Sequence, residues 1–207
     1  MWISAAGKVD IDYRAEVDVA RQVEDMATLA SLPPHSLPGE VVPYLFDSRF
    51  CSADRLQSFV IEQFGNTAGG ARIAAIRDWI SRELTYSAGS SGPHTTATDT
   101  LVDRRGICRD FAHVMIALAR ASTIPARYVA CYAPGVDPPD FHAVAEVFLA
   151  NPDDAGGGTW QLVDATGMAN PAQTVKIGVG RDAADVSFLT SFGASEFLEH
   201  EVKVRAD

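Results

Sequence analysis

Cys108, His142 and Asp164 are a thiol, an imidazole and a carboxylate, met in that order along 207 residues. Cys108 lies in the stretch RGICRDFAHVMIALARA, residues 105–121. There Phe111, Met115 and Leu118, with Ala112 and Ala119, recur at three- and four-residue spacings, the signature of one helical face. The cysteine therefore falls in the first turn of a helix whose far side is buried. Unpaired backbone N–H groups and the positive end of the helix dipole favour thiolate over thiol at that place. A free cysteine titrates at ~8.5, and helix N-termini or neighbouring cations lower that value. A thiol so placed is a candidate nucleophile; the competing reading is a small buried hydrophobe.

The other two groups lie on strand-like runs after the helix. Period-two alternation puts His142, Val144, Glu146 and Phe148 on one face of the run 141–150. It likewise puts Trp160, Leu162, Asp164 and Thr166 on one face of the run 159–166. A hairpin folded about Asp153 sets Glu146 opposite Trp160, Val144 opposite Leu162 and His142 opposite Asp164. Opposed residues on one face have Cβ atoms ~4.5–5.5 Å apart, within reach of an Asp–His hydrogen bond. A slip of one residue would break the pairing, and the GGG tract at 156–158 leaves the register loosely determined. On this reading Cys108 is the nucleophile, His142 the base and later the acid, and Asp164 the group that orients the imidazole. Against it stand a core cysteine, a histidine held by a backbone carbonyl and an aspartate ending a strand.

These groups need elements to hold them. The segment CSADRLQSFVIEQFG (51–65) reads as a helix with Ser52 as N-cap and Leu56, Phe59, Val60 and Phe64 as its stripe. The next, GGARIAAIRDWISRELTY (69–86), buries Ile73, Ile76, Trp79, Ile80 and Leu84 at helical spacing. The loop SAGSSGPHTT (87–96) leads to a short helical turn at 98–102. After the cysteine helix, Pro125 forbids continuation. Strand-like runs follow at 126–133, 141–150 and 159–166, joined by turn-forming residues. A helix followed by three consecutive strands predicts an α+β fold, the nucleophile helix packed on an antiparallel sheet. Residues 2–26 alternate (Val9, Ile11 and Tyr13 against Asp10, Asp12 and Arg14) and read as an extended ribbon. LPPHSLPG, 32–39, reads as a linker, with His35 solvated.

Composition narrows the class of function. The net charge of −10 argues against a nucleic-acid or anionic-membrane surface. No run of ~18 apolar residues predicts a transmembrane helix, and no basic leader precedes an apolar core in the first residues. Three scattered cysteines, Cys51, Cys108 and Cys131, do not make a disulfide framework, so the expectation is a cytoplasmic protein with free thiols.

The blocks GICRDFAHVMIALARASTIPARYVACY, DFHAVAEVFL and WQLVDATG together resemble the transglutaminase-like core of many bacterial proteins. ELTY at 83–86 and GRDAADV at 180–186 add to the likeness, which spans roughly residues 41–186. The resemblance implies a papain-like fold, a cysteine protease or transglutaminase activity, and a triad of Cys108, His142 and Asp164. It also implies a peptide or protein substrate attacked at a peptide or glutamine amide to give a Cys thioester. Hydrolysis is the expected outcome, with protein–glutamine crosslinking as the alternative product and a non-catalytic binding module as the alternative class. No metal or organic cofactor is needed. Val144 stands where many members have tryptophan, and Ala165 where many have proline. Relatives often carry a β-sandwich before the core, so residues 1–34 are expected to be the remnant of an N-terminal β domain, truncated at an internal methionine. The catalytic domain is then 41–207.

Around the triad, the Cys108 N–H is one natural oxyanion donor, and the 90–96 segment is a candidate source of the second. Tyr132 and Asp140 flank the expected cleft and are candidate substrate contacts. His113 lies about 140° around the helix from Cys108 and is expected to serve packing. Asp110 suits the helix dipole but opposes a neighbouring thiolate. A zinc site from Cys108, His113, His142 and Asp164 has no matching ligand spacing.

Overall fold

Periodic apolar residues organise two layers, helices over one face of a sheet, in the computed structural model, which describes residues 3–4, 7–154 and 156–206. A 3₁₀ turn at Ala53–Leu56 runs into helix α1, Gln57–Phe64, which stops at Gly65. Helix α2 is Gly69–Glu83, with Ile73, Ile76, Trp79 and Ile80 turned inward. The two-residue strands β1, Thr85–Tyr86, and β2, Arg105–Gly106, pair in parallel on either side of α3, Ala97–Asp103. Helix α4, Cys108–Ala121, begins at the cysteine, as its apolar spacing predicts. Strands β3 (Ala126–Tyr132), β4 (His142–Ala150), β5 (Gly158–Val163) and β6 (Val175–Gly180) form one antiparallel sheet in the order β5-β4-β3-β6. This is the α+β architecture expected.

Helix α4 is the centre of the core. Its Val114, Met115, Ile116 and Leu118 are fully buried, packed with α1, α2 and the inner face of the sheet. That inner face is small and apolar: Ala143, Ala145, Val147 and Leu149 of β4, with Val163 and Ala165. Alanines in the sheet let the helix approach closely, and each large side chain removed from water contributes ~1.5–3 kcal/mol. The opposite face holds a smaller cluster of Val129, Cys131, Ala133, Val144, Leu162 and Ala169. Beside it Leu32, Val41 and Phe148 pack together under the 32–41 stretch. So the proline-rich stretch read as a linker is partly docked, while His35 is exposed. Buried Glu146 is paired with Arg127 at 2.7 Å and Lys176 at 2.8 Å, joining β4 to β3 and β6.

Three features depart from the sequence reading. The alternating residues Val9, Ile11 and Tyr13 form no ladder; among the described residues of 1–34 there are only 3₁₀ turns, at Met26–Thr28 and Pro34–Ser36. Alternation alone cannot make a strand without a partner edge, and these three side chains stay exposed. Trp2 lies outside the described residues. Strand β6 is an addition: VKIGVG alternates, but two of its six residues are glycine, which weakens a strand signal, and Ile177 and Val179 are exposed on the sheet edge. Finally, Glu146 pairs with Leu162 and Phe148 with Trp160, a register two residues away from the one predicted. Among the described residues, no helix is long and apolar enough to cross a membrane.

Candidate active site

The first turn of α4 is held by charge and by a glycine. Asp110 is fully buried, and its Oδ2 accepts the Ile107 N–H at 2.9 Å, closing the helix start from within. Its Oδ1 accepts the Ser91 hydroxyl at 2.9 Å and faces the Arg109 guanidinium at 3.2 Å. Arg109 in turn donates to Ser91 Oγ at 2.8 Å and the Gly92 carbonyl at 2.6 Å. The carboxylate expected to oppose a thiolate is thus neutralised by its own neighbours. A Cβ on Gly106 would stand 2.7 Å from the Asp110 Cβ, so only glycine allows this close approach. The 90–96 loop, a candidate source of an oxyanion donor, spends these contacts of Ser91 and Gly92 on Arg109 and Asp110.

Cys108 is half-buried, and its Sγ lies 4.0 Å from the Phe141 carbonyl oxygen, at the residue before β4. His142 opens β4 beside it. Its Nε2 is 3.0 Å from Asp164 Oδ2, and both side chains are almost wholly buried. Because a carboxylate only accepts, Nε2 directs its proton at Asp164, and Nδ1 is the ring nitrogen left to exchange a proton with the thiol. That Nδ1 is buried with no hydrogen-bond partner. Burial pulls the imidazole down, but the Asp164 hydrogen bond and the Cys108 sulfur overcome it and lift the ring to about 9.

Asp164 is fully engaged. Its Oδ2 also accepts the Ala169 N–H at 2.7 Å, and its Oδ1 accepts the Thr166 N–H at 2.8 Å and the Thr166 hydroxyl at 2.7 Å. Burial would raise the carboxyl; the bond and charge of His142, with the Ala169 and Thr166 donors, hold it below its ordinary range. The DATGMA stretch after β5 therefore wraps the carboxylate and points it at the ring. The two-residue shift in register left the pairing of faces intact, because side chains alternate with period two.

Sequence reasoning missed Tyr86. The β1–β2 ladder and the Ser87 N–H bond to the Gly106 carbonyl, 2.9 Å, carry it alongside the start of α4. Its hydroxyl interacts with the backbone and the sulfur of Cys108. Burial and the charge of Cys108 raise the phenol to about 12, so it keeps its proton. The block ELTY contained this residue, but nothing in its spacing linked it to the cysteine 22 positions on.

The remaining candidates fall into place around this centre. The Tyr132 ring packs on Phe141 at 5.8 Å, and Asp140 accepts the Phe141 N–H at 2.7 Å. His113 turns away from Cys108: its Nε2 accepts the Ala183 N–H at 3.2 Å and its ring stacks on Phe50 at 5.1 Å. Burial, with Arg109 nearby, drives it down to about 3, and it is neutral. Cys51 is buried and raised to about 12 by that burial; Cys131 is buried and raised further still. Among the described residues, no three His, Cys, Asp or Glu converge to hold a metal ion.

An uncharacterized protein of Mycobacterium leprae is 34% identical over 122 residues, 56% of this chain and 42% of that protein. One of Mycobacterium tuberculosis is 34% identical over 128 residues, 55% of this chain and 40% of that protein. The chain thus matches about two-fifths of the length of these curated relatives. The crystal structure of a cysteine protease candidate from Cytophaga hutchinsonii superposes with a TM-score of 0.76 at 41% identity, covering 83% of this chain and 57% of that one. The periplasmic domain of TgpA from Pseudomonas aeruginosa, bound to ethylmercury, gives a TM-score of 0.50 at 25% identity over 68% of this chain and 53% of that one. The model of the transglutaminase-like superfamily matches residues 58–165, a span that contains Cys108, His142 and Asp164. This chain belongs to the transglutaminase-like superfamily.

Proposed function

We propose that the protein is a thiol acyl-transfer enzyme that cleaves peptide or glutamine amides through a thioester on Cys108, with water as the acceptor. The observation that carries this reading is the orientation of His142: Nε2 is tied to Asp164 at 3.0 Å, and Nδ1 is left without a protein partner beside the thiol. In this mechanism Nδ1 holds the proton taken from the thiol, and the sulfur attacks the amide carbonyl carbon. The carbonyl oxygen becomes an oxyanion between the Cys108 N–H and the Tyr86 O–H, both preorganised donors. The imidazolium then protonates the departing amine, the C–N bond breaks and the thioester remains. A water molecule gives its proton to Nδ1 as it attacks the thioester, and the thiol leaves with that proton returned to it.

Asp164 keeps its charge throughout and stabilises the imidazolium in each half. The solvent exposure of the site supports water over an amine: Cys108 is half-buried and Tyr86 is 37% exposed, so the thioester stands open to bulk water. The three cysteines are unpaired, which supports a reducing compartment.

The test is mass analysis of a glutamine-containing peptide incubated with the protein, with and without a primary amine, against Cys108→Ala as control. Cleavage fragments or the glutamate product, dependent on Cys108 and unaffected by the amine, support the reading. An amine adduct as the main product replaces hydrolysis by crosslinking. Products that persist in Cys108→Ala overturn the nucleophile assignment.

A further inference from the structure

Phe141 is joined to the base by one peptide bond, and its carbonyl lies 4.0 Å from the Cys108 sulfur. Its ring therefore belongs to the wall of the cleft. On one side it meets Tyr132 at 5.8 Å. On the other it is covered by residues far along the chain: Phe188 stacks on it at 5.1 Å and 23°, and His200 at 5.5 Å and 21°. The His200 Nε2–H also donates to Asp140 Oδ1 at 2.8 Å. Phe197 links the two covering rings, at 5.7 Å from Phe188 and 5.6 Å from His200.

The covering segment, 187–206, holds no helix or strand. Its aromatic groups stay well exposed, Phe188 at 68% and Phe197 at 52%. At Phe141 and Asp140 the segment is held by ring contacts and an exposed hydrogen bond, which a competing chain can displace. What it presents to the cleft wall is an aromatic ring stacked on Phe141 and an N–H donor on Asp140. That is the chemistry of two peptide side chains, brought together next to the nucleophile from positions 188 and 200.

We infer that Phe141, Tyr132 and Asp140 form a substrate subsite for a peptide bearing an aromatic residue and a nearby cationic or N–H-donating residue. The 187–206 segment is its intramolecular occupant. This rests on the reading of the cleft as an amide-cleaving site, and it names the class of acyl donor. Substrate and strap compete for one shelf, so loosening the strap tightens binding of aromatic substrates alone.

The experiment uses the full chain in a Cys108→Ala background, which keeps a bound peptide intact. A short peptide containing phenylalanine and arginine is titrated calorimetrically, alongside the same peptide with alanine for phenylalanine. Adding Phe188→Ala and His200→Ala, both at exposed positions, should lower the Kd of the aromatic peptide roughly three- to tenfold. The alanine peptide should gain nothing, and Phe141→Leu should abolish the difference between the two peptides. Equal Kd values with and without the strap substitutions overturn the inference. Alkylation of Cys108 by iodoacetamide below pH 8 in the otherwise unaltered protein reports separately on the amide-cleaving reading, so the two failures are distinguishable.

Discussion

Asp164→Asn tests the electrostatic link on which the proposed chemistry depends. It keeps the shape and an oxygen for the Thr166 donors, but removes the charge and puts an amide NH2 in place of the oxygen that His142 and the Ala169 N–H share. In the unaltered protein the imidazole is lifted from 6.5 to about 9, and that gap is worth about 3 kcal/mol of preference for the imidazolium in the folded state. The Asp164 bond is the largest influence raising it, working against burial. Without the carboxylate, burial is opposed by Cys108 alone, and the ring falls by roughly two and a half pH units or more. The direct measurement is an NMR titration of the ring nitrogens of His142: a midpoint near 9 in the unaltered chain, and one near or below 6.5 in the variant.

Stability must follow with a definite sign. A raised histidine stabilises fully below its unfolded value of 6.5, and the contribution is lost as pH climbs through about 9. The depressed Asp164 contributes above its ordinary 3.8 and loses that contribution as pH falls through its lower folded value. Urea unfolding should therefore show the advantage of the unaltered protein over Asp164→Asn greatest between about pH 5 and 6.5 and shrinking above that. An imidazole near 6.5 in the unaltered chain, or one still near 9 in Asp164→Asn, refutes the reasoning.

Tyr86→Phe removes one of the two proposed oxyanion donors while keeping the ring against Phe111, at 6.0 Å. Steady-state kinetics should show kcat down about 10²- to 10³-fold with KM little changed, while alkylation of Cys108 below pH 8 persists. Arg120→Met removes a buried guanidinium that donates to the carbonyls of Phe46 at 3.0 Å, Ala126 at 2.9 Å and Arg181 at 2.6 Å. Those acceptors are then unpaired, costing on the order of 3 kcal/mol, and calorimetry should show Tm lower by about 10 °C; an unchanged Tm would rule this out.

The sequence was legible where local periodicity and turn chemistry decide the outcome. Helix α4 begins at Cys108 because Gly106 and Asp110 set its first turn, and the stripe Phe111, Met115, Leu118 repeats without interruption. The convergence of His142 and Asp164 was legible too, though by a forgiving route. The hairpin turns about Asp154 rather than Asp153, with the Asn151 N–H bonded to the Gly157 carbonyl at 3.0 Å. A displacement of two residues preserves the face, so the right pair met under the wrong register; an error of one would have separated them. Contacts at long separation were not legible. Tyr86 reaches Cys108 through a two-residue parallel ladder too short to leave a pattern. Likewise β6 and the segment covering Phe141 are placed by tertiary contacts rather than local sequence.

The nucleophile helix and the sheet carrying the base belong to different layers, so angstrom-scale alignment between them needs a third element. The GRDAADV stretch, 180–186, supplies it. Asp182 is buried and accepts the Phe50 N–H at 2.8 Å, anchoring the chain before α1. The Ala183 N–H donates to His113 in the middle of α4, and the Arg181 carbonyl receives Arg120 near its end. The Arg181–Asp185 pair closes the turn at 2.9 Å. One short turn, entered directly from β6, thus grips α4 at two points a helical pitch or more apart and ties both to the sheet. The neutral state that burial imposes on His113 suits this contact, because Nε2 must accept the Ala183 N–H and a protonated ring could not. The residues that fix the geometry of Cys108 and His142 therefore lie outside the matched 58–165 span as well as within it.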